Sequence, residues 1–168
     1  AAFTLVRGPQ GPRGETGPPG PKPPTPRDPW QRRGVRAGHE ITGPDGAVYV
    51  WVTPGAFRMG SPDGDDDEQP VHRVQITKGF WLAKHEVTNE LYKRFCDETG
   101  REFPTDSGND ADHPVVYVNW EDAQAYCGRY GMRLPTEAEW EYSARGPVGN
   151  VYPWGQSWYA NRACHYEN

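Results

Sequence analysis

The nine residues Arg133-Leu134-Pro135-Thr136-Glu137-Ala138-Glu139-Trp140-Glu141 constrain this chain more than any other stretch. Thr136 is placed to accept from the backbone at a helix start, and Glu139, three residues on, reaches back to complete a capping box. Pro135 restricts the entry and Trp140 brings a large ring to the first turn. Two earlier segments carry similar punctuation. Thr88 caps a helix over 88–99, with Val87 and Tyr92 as a hydrophobic staple, Leu91, Phe95 and Cys96 toward the core, and Gly100 at its end. Asn119 caps another over 119–130, where Glu121 and Asp122 favour the positive end and Gly131 stops it. The third helix runs over 136–145. Ala47–Thr53, Val71–Thr77 and Phe80–His85 read as short strands, the second by its alternation. Beyond Arg145 the chain reads as Gly- and Pro-punctuated loops. The sum is an irregular α+β domain.

Composition adds one division. Residues 1–36 hold nine of the 18 prolines and seven Arg or Lys against two acids; residues 37–168 hold eleven against twenty-one. An acidic body argues against nucleic acid as a partner, which needs a cationic face. No apolar run approaches the ~20 residues of a membrane span. Glycine recurs at 8, 11, 14, 17 and 20, giving five Gly-x-x triplets of collagen type. Residues 1–42 are therefore read as a Gly/Pro-rich, collagen-like extended linker, with a trimerising stem as the alternative. Residues 1–40 are expected to pack on nothing. Trp81, Trp120 and Trp140 are expected in the core.

The motifs together resemble the formylglycine-generating enzyme (sulfatase-modifying factor) family. Besides Arg133–Glu141, the resemblance is carried by Pro54–Ser61, Asp67–His72, Phe80–Asn89, His113–Trp120, Ala123–Cys127, Tyr152–Gly155 and Ala160-Asn161, in the family's order. It covers about 48–168, so that 43–168 is read as the N-terminal part of the family's domain. The resemblance implies that family's C-type-lectin-like fold, with little regular secondary structure and a core stitched together by loops. It also implies an oxidoreductase that converts a sulfatase cysteine to formylglycine with copper and dioxygen. The family's catalytic cysteine pair follows Gly-Asn-x-Trp-Glu-Trp and Arg-Gly-Gly-Ser stretches, and neither stretch occurs here. No catalytic residue is therefore assigned. The expected partner is a sulfatase polypeptide or another ligand of the complete domain.

Candidate sites are few. The resemblance implies structural calcium held by the Asn161 side chain and the Arg162 carbonyl, a half-built site, since calcium takes 6–8 oxygens. Asp63–Glu68 is acidic but has Glu68 and Val74 where an EF-hand loop needs Gly and Glu, and it reads as a solvated turn. Arg133, Pro135, Thr136, Glu137, Glu139, Trp140 and Glu141 form a structural motif. Glu137 and Glu141 lie one helical turn apart, but a brace between Arg133 and a glutamate is the preferred reading over acid–base work. Cys96 and Cys127 are read as buried structural thiols and Cys164 as an exposed one. The five histidines show no metal-ligand spacing. His85 and His113 are read as structural hydrogen-bonders.

Three functions compete: part of a copper-dependent oxidase, a non-catalytic ligand-binding domain on a collagen-like stem, and the second domain of an ergothioneine-type sulfoxide synthase. The third needs an iron-binding histidine helix upstream, and residues 1–46 offer none.

Overall fold

The computed structural model describes residues 6–7, 30, 32–62, 64–108 and 110–162. They fall into two compact units, one built from the chain up to Thr53 and from Lys78 to Pro135, the other from Pro54–Thr77 and the chain beyond Thr136.

In the first unit β1 (Val6–Arg7), β2 (Glu40–Thr42), β3 (Val48–Val52) and β6 (Phe80–Ala83) form one antiparallel sheet in the order β1-β6-β3-β2. Alternation along β3 turns Tyr49 and Trp51 inward. Register sets Trp51 opposite Trp81, their rings 5.0 Å apart. Two helices, α1 (Asn89–Thr99) and α2 (Trp120–Arg129), complete the unit. Their buried residues Tyr92, Phe95, Cys96, Tyr126 and Cys127 join Tyr49, Trp51 and Trp81 in one core. The local signals act as read: Thr88 accepts from Leu91 N–H, Asn119 and Asp122 form a reciprocal capping box, and Gly100 ends α1 in the left-handed region.

A buried carboxylate ties this core together. Asp45, fully buried in the β2–β3 turn, accepts from Tyr49 Oη at 2.7 Å, Tyr126 Oη at 3.1 Å and Ala47 N–H at 3.1 Å. Arg94 donates to its carbonyl. Burial, reinforced by Asp45, pushes both tyrosine hydroxyls well above their ordinary pKa.

The expectation that residues 1–40 pack on nothing fails where the structure describes them. Trp30 meets Tyr49 edge-on at 4.7 Å, and Arg32 O accepts from Trp81 Nε1 at 3.0 Å. Gly38 N–H donates to Trp51 O, and Trp51 N–H to His39 O. Gly34 lies so close to Trp51 that a Cβ would collide with the indole. Proline content argues for a free extended chain; backbone pairing with β3 prevails at Gly38 and His39, because an extended chain is what a strand pairs with. The Gly-x-x triplets, Leu5 and Cys164 lie outside the described residues.

In the second unit β4 (Gly55–Met59) and β5 (His72–Ile76) form an antiparallel pair with Phe57 opposite Val74. The helix α3 (Glu137–Arg145) packs on them through Tyr142, whose ring lies 5.4 Å from that of Phe57.

Two of the three expected core tryptophans are misplaced. Trp81 is 1% exposed, but Trp120 is 64% and Trp140 56% exposed. Trp140 lies two residues from buried Tyr142, about 200° around the helix, and so faces the opposite way. Trp120 is the first residue of α2, ahead of the buried set Ala123, Tyr126 and Cys127.

Candidate functional site

The start of α3 has the geometry its sequence predicts. Thr136 Oγ1 accepts from Glu139 N–H at 3.2 Å, and Thr136 N–H donates to Glu139 Oε2 at 2.9 Å. Behind this cap α3 packs against β4 and β5. Glu141 Oε1 then accepts from Gly60 N–H at 2.9 Å and from Arg145 at 2.5 Å, while Arg145 donates to Gly60 O at 2.8 Å. One ion pair thus holds both backbone groups of the residue that ends β4. Gly60 has φ 95°, and a Cβ there would collide with Glu68 O. Ser61 N–H donates to the same Glu68 carbonyl at 3.2 Å, closing the acidic turn into a loop.

Beside this clamp lies a cavity of about 400 Å³, within the range of ligand pockets. Met59, Gly60, Glu141 and Arg145 line it together with the acidic residues Asp67, Glu68 and Glu137. Pro70, Val151 and the ring of Trp140 supply apolar wall. His72 Nδ1 also borders it and lies 3.0 Å from Pro70 O.

The structural motif therefore divides. Arg133 and Pro135 close the first unit, where Arg133 Nη1 donates to Leu134 O at 3.0 Å. Thr136 and Glu139 cap α3, while Glu137, Trp140 and Glu141 line the cavity. The ion pair that engages Glu141 is with Arg145, a residue the sequence reading passed over. Glu141 is thus committed to Arg145 and Gly60, whereas Glu137 stands exposed one turn earlier. Gly60 and Arg145 went unnoticed because their partners lie 81 and 85 residues away. The i,i+4 spacing of Glu141 and Arg145 was the one available signal.

Asn161 and Arg162 stand exposed in a 3₁₀ turn (Ala160–Arg162), with Arg162 N–H donating to Tyr159 O. Two neutral oxygens fall short of a calcium shell, and no group of three or more His, Cys, Asp or Glu suited to a metal exists among the described residues. Cys96 and Cys127 are unbridged and buried in α1 and α2. Burial raises both thiols, that of Cys127 to about 12. Soft copper(I) needs thiolate, so neither residue fits it as presented. His113 pairs with Asp110 at 3.3 Å on the surface. No helix among the described residues is long and apolar enough to cross a membrane.

Comparison with known proteins agrees with this architecture. Residues 39–168 match the family model of the sulfatase-modifying factor enzyme 1-like domain. The inactive C-alpha-formylglycine-generating enzyme 2 of Mus musculus is 60% identical over 164 residues, covering 68% of this chain and 53% of that protein. The formylglycine-generating enzyme of Bos taurus is 31% identical over 170 residues, covering 71% and 45%. The solved structure of PvdO from Pseudomonas aeruginosa superimposes with a TM-score of 0.55 at 26% identity, covering 69% of this chain and 54% of that one. The chain thus spans about half the length of these three relatives. The fold is of the formylglycine-generating-enzyme type, and the chain belongs to the family of sulfatase-modifying factor enzyme 1-like domains.

Proposed function

We propose that this chain serves in a sulfatase-modifying-factor domain that binds a sulfatase polypeptide without oxidising its cysteine. The observation that carries the reading is the 60% identity to a relative named inactive; the described cysteines add only that neither of them is presented as a reactive thiolate. Cys96 and Cys127 fill helix faces of a packed core, and burial holds both thiols protonated. A copper oxidase of this family type works through an accessible thiolate pair. The relatives named inactive reach 60% in Mus musculus and 34% in Bos taurus, against 30% and 31% for those named for the activity in the same two species. A collagen-like stem over Gly8–Lys22 would present such a domain in several copies and raise its effective affinity.

Two measurements test the proposal. The protein is incubated with copper(I), dioxygen and a peptide bearing the sulfatase cysteine motif, and the peptide is analysed by mass spectrometry. No aldehyde product above a no-protein control is expected, and conversion overturns the non-catalytic reading. Surface plasmon resonance against an immobilised sulfatase is expected to give saturable binding; its absence overturns the binding half.

A further inference from the structure

We propose that the bend over 32–36, joined by Lys78, binds a linear sulfated polysaccharide. Arg32, Arg33, Arg36 and Lys78 are all exposed. Among the described residues none of the four side chains is ion-paired or hydrogen-bonded. Backbone contacts hold the bend in place. Arg32 O accepts from Trp81 Nε1 at 3.0 Å, Arg36 O from His39 N–H at 3.2 Å, and Gly38 N–H donates to Trp51 O at 3.0 Å. Trp51 brings in the fourth cation. Gly34 and Gly79 both press on its indole so closely that a Cβ on either would collide with it. That contact sets Lys78, next to Gly79, beside the arginine bend. Cations on a fixed backbone lose less entropy on binding, so more of their attraction appears as affinity.

The surroundings select the kind of anion. Guanidinium forks meet the oxygens of a tetrahedral oxyanion two at a time, and several cations side by side ask for several such groups at intervals. Residues 37–168 carry eleven Arg or Lys against twenty-one acids. An anionic duplex or membrane, broad enough to face that body as well, is repelled wherever it reaches past the patch. A polymer one chain wide touches the patch alone. Single-stranded nucleic acid is as thin, but it holds on by stacking bases on exposed rings. The rings beneath this bend, Trp51 and Trp81, are 7% and 1% exposed. Val35 is the one apolar side chain the bend presents, too little to enter a bilayer. The bend also precedes the residues 39–168 that match the family model, so its charge is no part of the shared domain. A thin chain with sulfate groups along it and no bases to stack fits what is offered.

The probe is a heparin oligosaccharide, titrated into the protein by calorimetry at several salt concentrations. Saturable binding is expected, with log Kd rising against log salt at a slope of about 3, from ~0.7 per cation over four cations. Arg33→Gln/Arg36→Gln is expected to weaken binding roughly 25-fold, from about fivefold per cation contact, and Lys78→Gln about fivefold. Arg58→Gln/Arg73→Gln removes the same charge from exposed positions on β4 and β5 and is expected to change affinity by less than about twofold. All five positions are exposed, and a denaturant midpoint matching that of the wild type shows each variant folded. Desulfated heparin keeps its carboxylates and is expected not to bind. Affinity indifferent to the bend substitutions, or weakened equally by those on the hairpin, overturns the inference. Equal affinity for desulfated heparin, duplex DNA or inorganic polyphosphate at the same salt overturns it too.

Discussion

The two units place a carboxylate at their centres in opposite ways. In the first, Asp45 is sealed from solvent and satisfied by two tyrosine hydroxyls and the Ala47 N–H. In the second, Glu141 is partly exposed, paired with Arg145 and lines a cavity. A buried polar network rigidifies only if every member is satisfied, so the Asp45 network specifies one packing. The Glu141–Arg145 pair fixes a backbone turn while leaving neighbouring side chains open to ligand. Structure is concentrated in the one and presentation in the other.

The sharpest way to break this comparison is through tryptophan. Trp81→Ala in the first unit is expected to cost ~3–5 kcal/mol in denaturant unfolding. Trp140→Ala and Trp120→Ala, at exposed positions, are expected to stay within ~0.5 kcal/mol. Equal costs at Trp81 and Trp140 would erase the contrast.

The carboxylates give the next largest effect. Asp45→Ala removes the carboxylate acceptor of two buried tyrosine hydroxyls, of which Tyr49 Oη keeps a contact to Met132 Sδ at 2.9 Å, and is expected to cost ~3 kcal/mol, from ~1–3 for each group left poorly satisfied. Glu141→Ala breaks a partly solvated pair, and ~1 kcal/mol is expected. Its clearest signature is faster hydrogen exchange at the Gly60 amide. If Glu141 proved the costlier loss, the second unit would be the rigid one.

The gentlest effect is a slope with pH. Burial raises the Cys127 thiol from 9.0 to about 12. Above pH 9 the unfolded chain sheds a proton that the folded chain keeps, so stability falls as pH rises until the folded thiol ionises near 12. Tyr49 and Tyr126, raised by the same burial, add to the fall. Urea unfolding on either side of pH 9 checks this, and a flat profile would show the core to be wetter than its burial indicates.

What was legible in the sequence follows the range of the interactions. All three helix starts were readable because Thr88, Asn119 and Thr136 meet their partners within three residues. The strands at Val48–Val52, His72–Ile76 and Phe80–Ala83 were readable from apolar runs and alternation. Nothing in the sequence marks Asp45 as a hub, since the partner that makes it one, Tyr126, lies 81 residues on. The cavity was hidden likewise, because hairpin and helix meet only in the folded chain. Trp140 was misassigned because ring size was weighed and helical phase was not.

The clamp on Gly60 recognises backbone atoms only, and this makes the neighbouring loop a replaceable cassette. Its ends are joined by Ser61 N–H donating to Glu68 O, so what lies between can change in length and chemistry without disturbing the hairpin. Doubling such a loop costs only about 0.6 kcal/mol in closure entropy. One hairpin and one helix, kept in register by Gly60, Glu141 and Arg145, would then carry many different rims, and with each rim a different preference for what enters.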